Sequence, residues 1–276
     1  MLLGLSRFAG HRGASVGVVV FAVLLIVALA APLLARQDPL AVNPDARLLA
    51  PSGQHLFGTD QLGRDQFSRV VYGTRVTLMV GIVPVLIAAA AGMALGLTSG
   101  YFRGAADALI MRCIDVMMAF PGLLLALAVI AVLGPDLRNL MISVGIFSIP
   151  LYTRVLRGST LSTRENLHVD AARAIGCGHL RIIIWHILPN VIAPLIVLST
   201  LGMANAILVA ASLSFLGLGQ RPPAPEWGSM LSSARNFLRL AWWMTAFPGL
   251  AISISVLAIN LIGDGLRDVL DPRLRT

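Results

Sequence analysis

The sequence predicts an all-α polytopic membrane protein with six transmembrane helices. Three observations lead there. Of 276 residues, 57% are hydrophobic and 12% charged, where a soluble domain carries about 25% charged residues. Six stretches meet the roughly 20 apolar residues that a membrane helix needs. The basic residues are scattered through the intervening loops and do not cluster on one face. A soluble enzyme, a disordered tail and a nucleic-acid binder are excluded by this composition. The net charge of +8 is better matched to lipid headgroups and partner subunits than to nucleic acid.

The first span is predicted at 15–35, after a tail at 1–14. Arg7 and Arg12 precede it, and Ala28-Leu29-Ala30 has the look of a cleavage box. The apolar run exceeds the roughly 7–15 residues of a signal core, and the box lies inside the run. An uncleaved anchor is therefore expected. A loop follows at 36–75, opening with Asp38-Pro39, Asn43-Pro44 and Pro51-Ser52-Gly53, all turn formers. From Asp65 its character changes. Phe67, Val70, Val71 and Thr74 recur at helical spacing with Arg69 and Arg75 between them, which predicts an amphipathic helix lying on the membrane surface.

A core at 76–265 holds the other five spans, predicted at 76–99, 108–133, 140–156, 191–217 and 242–262, with a tail at 266–276. The stretch 157–190 is too polar to cross. Helical segments at 169–175 and 180–187 flank Gly176-Cys177-Gly178, and Gly ends a helix at little cost by turning left-handed. The pattern is helix, turn, helix, with Pro189 expected to close it. With the N-terminus inside, arginines are slightly more numerous on the inner side, chiefly through this loop. Both termini are then cytoplasmic.

All 21 basic residues are arginine. A P-loop needs a lysine to reach the nucleotide phosphates, so any ATP hydrolysis belongs to another polypeptide. Cys113 and Cys177 are too few for a disulfide framework or zinc cluster. His168, His179 and His186 share one loop at spacings that suit no compact ligand pair. No metal site, cofactor or catalytic residue is expected on this chain.

Asp170-Ala171-Ala172, then Gly176, then Leu188-Pro189 resembles the EAA loop of ATP-binding cassette importer permeases. Asp170 stands where Glu is usual, one methylene shorter, and His186 where many members have Ile. His186 to Asn190 looks like the peptide and nickel branch. Four other blocks resemble the C-type permease of dipeptide, oligopeptide and nickel importers. They are His55 to Asp60 with Leu62 to Asp65; Ser214 to Gly219; Pro225 to Gly228; and Asn260 to Asp268 with Leu270-Asp271-Pro272.

The resemblance implies a type I importer permease fold with six spans in the inner membrane. It also implies a homologous permease partner, two ABC ATPase subunits carrying ATP and Mg, and an extracytoplasmic solute-binding protein. Peptides are the expected cargo, with nickel or a chelated metal as the alternative. On this reading Asp170, Ala171, Ala172, Gly176, Leu188 and Pro189 form a coupling loop seated in an ATPase cleft. Asp60, Arg64, Asp65, Glu226 and Trp227 are candidates for the binding-protein dock and outer gate, or for an internal network holding the outer loop. Asp115 has Arg112 three residues earlier on one helix face, and an acid within a span invites a functional reading. Asn205 and Asn260 are expected to hydrogen-bond between helices. An ion-coupled secondary transporter would show two matching halves and a midplane acid, and neither is visible. Ser143, Ser148, Ser253 and Ser255 lack the His or Asp that an intramembrane hydrolase needs.

Overall fold

The computed structural model describes residues 12–220 and 222–270. The start of the predicted N-terminal tail, with Arg7, lies outside them. So do Arg221, the end of the predicted C-terminal tail with Arg273 and Arg275, and the Asp271-Pro272 part of the last sequence block. Among the described residues the chain is helix and loop, and the only strand-like pairing is one bridge between Thr59 and Asp65.

Helix α1 is Arg12–Leu29, with one further turn at Ala31–Leu34. Helix α2 is Gln66–Phe102, α3 Gly104–Met118, α4 Gly122–Leu133 and α5 Leu137–Arg164. Then come α6 (Leu167–Ala174), α7 (His179–Ile182), a π turn (Ile183–Ile187), α8 (Leu188–Phe215), α9 (Trp227–Ala234) and α10 (Trp243–Leu270). Five helices are long and apolar enough to cross a membrane: α1, α2, α5, the continuous stretch His179–Phe215, and α10. The α3–α4 pair makes a sixth span if it is counted as one.

Two expectations are corrected here, on the 65–75 stretch and on Pro189, and the third span is found to be sharply bent. The stretch from Asp65 to Arg75 is no separate surface helix; it is the start of α2, which runs unbroken for 37 residues. Its apolar stripe packs on protein: Val70 is buried with Trp227, Ile207 and Ile252. The third span is not straight. Its halves meet at 91° across Ala119 to Pro121, because proline has no N–H and biases Phe120 out of the helical region. Pro189 does not close the polar loop. It lies inside the continuous stretch His179–Phe215, directly after a π turn in which the Leu188 N–H reaches the Ile183 carbonyl; such a wider turn is a place where a helix accommodates a proline.

Helix α2 lies along α5, and a glycine series sets how closely. A Cβ added at Gly92 would lie 2.4 Å from Tyr152 Cβ; at Gly96, 2.9 Å from Leu156 Cβ; at Gly100, 2.7 Å from Thr160 Cβ. Both series repeat every four residues, so one helix stripe faces the other. In lipid, where apolar burial against tails gains little, such close backbone approach is what holds helices together. Helix α1 docks on α10 the same way, with Gly17 against the Ala258 carbonyl. The core between α2, α4, α5 and α8 is filled by Val80, Ile130, Leu140, Val144 and Leu213.

Candidate functional site

The polar loop between α5 and α8 is built from both sides of its glycine. In α6, Val169 and Ala172 are buried with Leu97 and Tyr101 of α2, Leu156 of α5, Ile187 of the π turn and Val191 of α8. The opposite face is open: Leu167, Ile175, Leu180 and Trp185 are 71–88% exposed. Asp170 sits in the first turn of α6, where an acid suits the positive helix end, and pairs with Arg173 at 3.0 Å. Gly176 takes φ +80°. Its N–H donates to the Arg173 carbonyl at 2.9 Å, and the Cys177 N–H donates to the Ala172 carbonyl at 3.0 Å. These two bonds define a Schellman turn. A Cβ at Gly176 would meet open space, so the backbone angle alone selects glycine.

Tyr101 clamps this loop to the bundle. Its hydroxyl is 2.8 Å from His179 Nδ1, and Arg164 and Arg173 lie 5.8 and 5.9 Å over its ring. Arg103 pairs with Glu165 and holds that carboxyl below the usual carboxylate range. Leu188 packs on the same cluster, and Pro189 is exposed in the first turn of α8. The helix–turn–helix thus runs into α8 at one end, packs on α2 and α5 at the other, and presents a mixed apolar and charged face outward.

At the other end of the bundle the loop before α2 has a buried charge network in place of an apolar core. Asp60 accepts from the Leu62 N–H at 2.8 Å, the Arg64 N–H at 3.0 Å and Arg64 Nε at 2.6 Å. Arg69 Nε lies 3.7 Å from the same carboxylate, and its Nη1 reaches the Pro39 and Pro223 carbonyls. Asp65 caps α2 through the Ser68 N–H and hydroxyl, both at 2.8 Å, and meets His55 Nδ1 at 3.0 Å. Glu226 caps α9, accepting from the Gly228 and Ser229 N–H groups. Burial pushes its carboxyl above the usual range, against the pull of those two donors. Trp227 Nε1 donates to the Val70 carbonyl at 2.9 Å.

Asp60, Arg64, Asp65, Glu226 and Trp227 are each 4% exposed or less. Direct contact with a docking partner does not fit side chains so enclosed. Burial has turned them inward, and the internal network is the alternative that their geometry matches.

Asp115 pairs with Arg154 of α5 at 2.5 Å, not with Arg112; the tertiary partner replaces the one on its own helix. Asn205 is exposed on α8 and Asn260 half-buried on α10. Among the described residues neither side chain makes a hydrogen bond inside the chain, contrary to the interhelical bonds expected. Asp107 was not singled out from the sequence. It takes both Arg157 Nε and Nη2 at 2.6 Å and accepts from Ser99, tying α2, α3 and α5 together. The Gly92, Gly96 and Gly100 spacing was legible in the sequence as a small-xxx-small series and was also missed.

Residues 92–276 match the family model described as binding-protein-dependent transport system inner membrane component, and residues 3–51 match the N-terminal TM domain of oligopeptide transport permease C. The chain belongs to the binding-protein-dependent transport system inner membrane component family. Among its relatives is the dipeptide transport system permease protein DppC of Alkalihalophilus pseudofirmus, 48% identical over 266 residues, covering 96% of this chain and 88% of the relative. The di/tripeptide transport system permease protein DppC of Pseudomonas aeruginosa is 46% identical over 274 residues, covering 97% and 90%. The glutathione transport system permease protein GsiD of Pectobacterium atrosepticum is 48% identical, covering 82% and 75%. A chain of the MetNI methionine ABC transporter, solved in inward-facing conformations, superposes with a TM-score of 0.59 at 18% identity, covering 73% of this chain and 96% of that one. The fold is therefore that of an ABC importer permease. As a binding-protein-dependent permease the chain is a multi-pass inner-membrane transport subunit, and such a subunit works with ATPase and substrate-binding partners.

Proposed function

We propose that this permease forms half of the translocation path of a peptide importer, paired with a homologous permease and served by two ATPases that hold ATP and Mg. The full-length identity to relatives named for dipeptides and di/tripeptides carries the cargo assignment. Nickel or a chelated metal has no comparable support among those names. The termini and the 157–190 loop face the cytoplasm in this reading, and the 36–75 loop faces the binding protein.

The open face of α6, with Asp170, Ala171 and the Gly176 turn, seats in an ATPase cleft. ATP binding closes the ATPase pair and moves the two coupling loops together. Because α6 packs on the ends of α2 and α5 and α7 runs through the π turn into α8, that movement reorients spans and opens the path outward. Hydrolysis resets it. A full switch from 1:99 to 99:1 needs about 5.5 kcal/mol of differential affinity, which nucleotide on the partner subunits supplies. The outer loop and the 226–239 segment form the dock and gate as a region; Asp60, Arg64, Asp65, Glu226 and Trp227 hold its shape from inside.

The test is co-purification followed by reconstitution. The tagged chain, expressed with its genomic neighbours, is expected to retain a second permease and ATPases. Proteoliposomes of that complex with its binding protein are expected to take up dipeptide only with ATP. Uptake driven by an ion gradient without ATP would refute the proposal.

A further inference from the structure

We infer that Asn205 is a cargo-reading residue, on this chain's wall of the translocation path, that hydrogen-bonds the amide backbone of a passing peptide; this rests on the peptide-importer reading above. The wall is a cavity of about 580 Å³ formed where the third span breaks. Met118 and Phe120 come from the break, Phe147, Leu151 and Tyr152 from α5, and Asn205 from α8. No charged side chain lines it.

Two other polar side chains in the wall are already engaged. The Ser148 hydroxyl donates to the Val144 carbonyl at 2.8 Å, and the Tyr152 hydroxyl donates to the Leu198 carbonyl at 3.3 Å. Asn205 has no such partner among the described residues, and its side chain is exposed. At 1.5 Å per residue it stands about 25 Å along α8 from Leu188 and about 15 Å short of Phe215. It is thus at membrane depth, where an amide without a partner is costly. An amide carries both a donor and an acceptor, which matches the C=O and N–H of a peptide unit whatever its side chains.

The same face continues into an ion pair. On α5, Arg154 follows Leu151 by three residues; on α3, Asp115 precedes Met118 by three. Their side chains are 44% and 55% exposed and join at 2.5 Å. Ionisable groups within a membrane face a bundle interior or a water-filled cavity and not lipid tails. The Asp115–Arg154 pair therefore marks this face as turned to water or protein, and Asn205 shares it. A wall without charges between a charged rim and a lone amide would pass peptides of varied side chain while still engaging their backbone.

The experiment uses the assembled transporter in proteoliposomes, with Cys113→Ala and Cys177→Ala as background. Asn205→Leu is expected to lower dipeptide uptake about fivefold, the worth of one net hydrogen bond, while binding-protein-stimulated ATPase activity persists. Asn205→Gln, which keeps the amide, is expected to restore most of the uptake. Asn205→Cys is expected to react with a charged, water-soluble thiol reagent and to be protected during dipeptide transport. Unchanged uptake by Asn205→Leu would overturn the inference. So would a cysteine at that position that the reagent cannot reach, as when Asn205 bonds to the partner permease. If the unmodified transporter moves no dipeptide, the cargo reading fails, and thiol access still reports whether position 205 lines a water path.

Discussion

Replacing Asp60 by alanine should cost more than removing its arginine partner, and the reason can be worked from the contacts. Asp60 Oδ1 accepts two backbone N–H groups, and Oδ2 takes Arg64 Nε at 2.6 Å with Arg69 at 3.7 Å. Asp60→Ala leaves two backbone donors without their acceptor and two guanidinium groups buried together. Arg64 and Arg69 are 4% and 5% exposed, so water cannot take over. Breaking a buried pair from one side costs about 3–5 kcal/mol. Arg64→Met is milder. It keeps the aliphatic volume and leaves Asp60 with Arg69 and both N–H groups. Its cost is one charge-assisted hydrogen bond, about 1.5–3 kcal/mol. The assay is the fraction of correctly assembled complex after solubilisation, with thermal unfolding followed by size-exclusion fluorescence. The expected order of stability is wild type, then Arg64→Met, then Asp60→Ala. In whatever complex survives, affinity for the loaded binding protein should be unchanged. A stable Asp60→Ala complex with a raised KM for the binding protein would refute the reasoning and restore a docking role.

Other outcomes follow from the same geometry. Gly176→Glu is expected to leave the permease folded, since its side chain meets open space, with about 1–2 kcal/mol of backbone strain; pull-down should show the ATPases lost and the second permease kept. Gly92→Leu should separate α2 from α5, because even its Cβ would lie 2.4 Å from Tyr152 Cβ and 3.1 Å from the Thr153 nitrogen. Overpacking of about 1–3 kcal/mol should exceed the roughly 0.8–1.0 kcal/mol that glycine costs a helix, and thermal stability of the complex reads the balance. For Glu226, whose carboxyl is raised by burial, the folded chain holds its proton longer than the unfolded chain. Its contribution to stability is therefore complete below the ordinary carboxylate range and is lost as pH rises through the raised value. Melting curves across that window should slope downward with pH, and Glu226→Gln should flatten the slope while forfeiting one of the two cap bonds.

Much of the fold was legible because membrane spans declare themselves by length and apolarity. What hydropathy cannot carry is where a helix stops once it leaves the apolar zone. The α2 turns from Gln66 to Arg75 looked like a surface helix because their polar residues alternate with apolar ones. The partners that bury them, Trp227 and the Pro39 and Pro223 carbonyls, are remote in sequence. The break at Ala119 to Pro121 was written in Pro121, yet proline alone does not distinguish a kink from a sharp bend; the size of the bend depends on what packs around it. The turn at Gly176 was legible because a left-handed backbone is a local property that glycine itself announces. Asp107 and Arg157 were missed because their pairing is purely tertiary. For Asp115 a local partner at the right helical spacing was available, and the tertiary partner Arg154 displaced it.

The distribution of charge assigns different work to the two ends of the bundle. At the outer end in the proposed orientation, carboxylates and guanidinium groups are buried and saturated by one another and by backbone, so that end behaves as a rigid fitting that, on the proposed docking role, would meet the binding protein by its shape and not its charge. At the polar-loop end, Asp170, Arg173, Glu165 and Arg103 pair at the surface, where an exposed pair is worth about 0–1 kcal/mol. Pairs that weak exchange partners readily, while Val169, Ala172 and Tyr101 keep the loop anchored beneath them. On the proposed coupling role, this surface binds and releases an ATPase cleft in every cycle, which needs that combination of a fixed underside and labile charge on top. The buried outer network would be too costly to rearrange. Conformational change is therefore expected to be absorbed between these ends, at the 91° break and the Asp115–Arg154 pair, where few hydrogen bonds have to be remade.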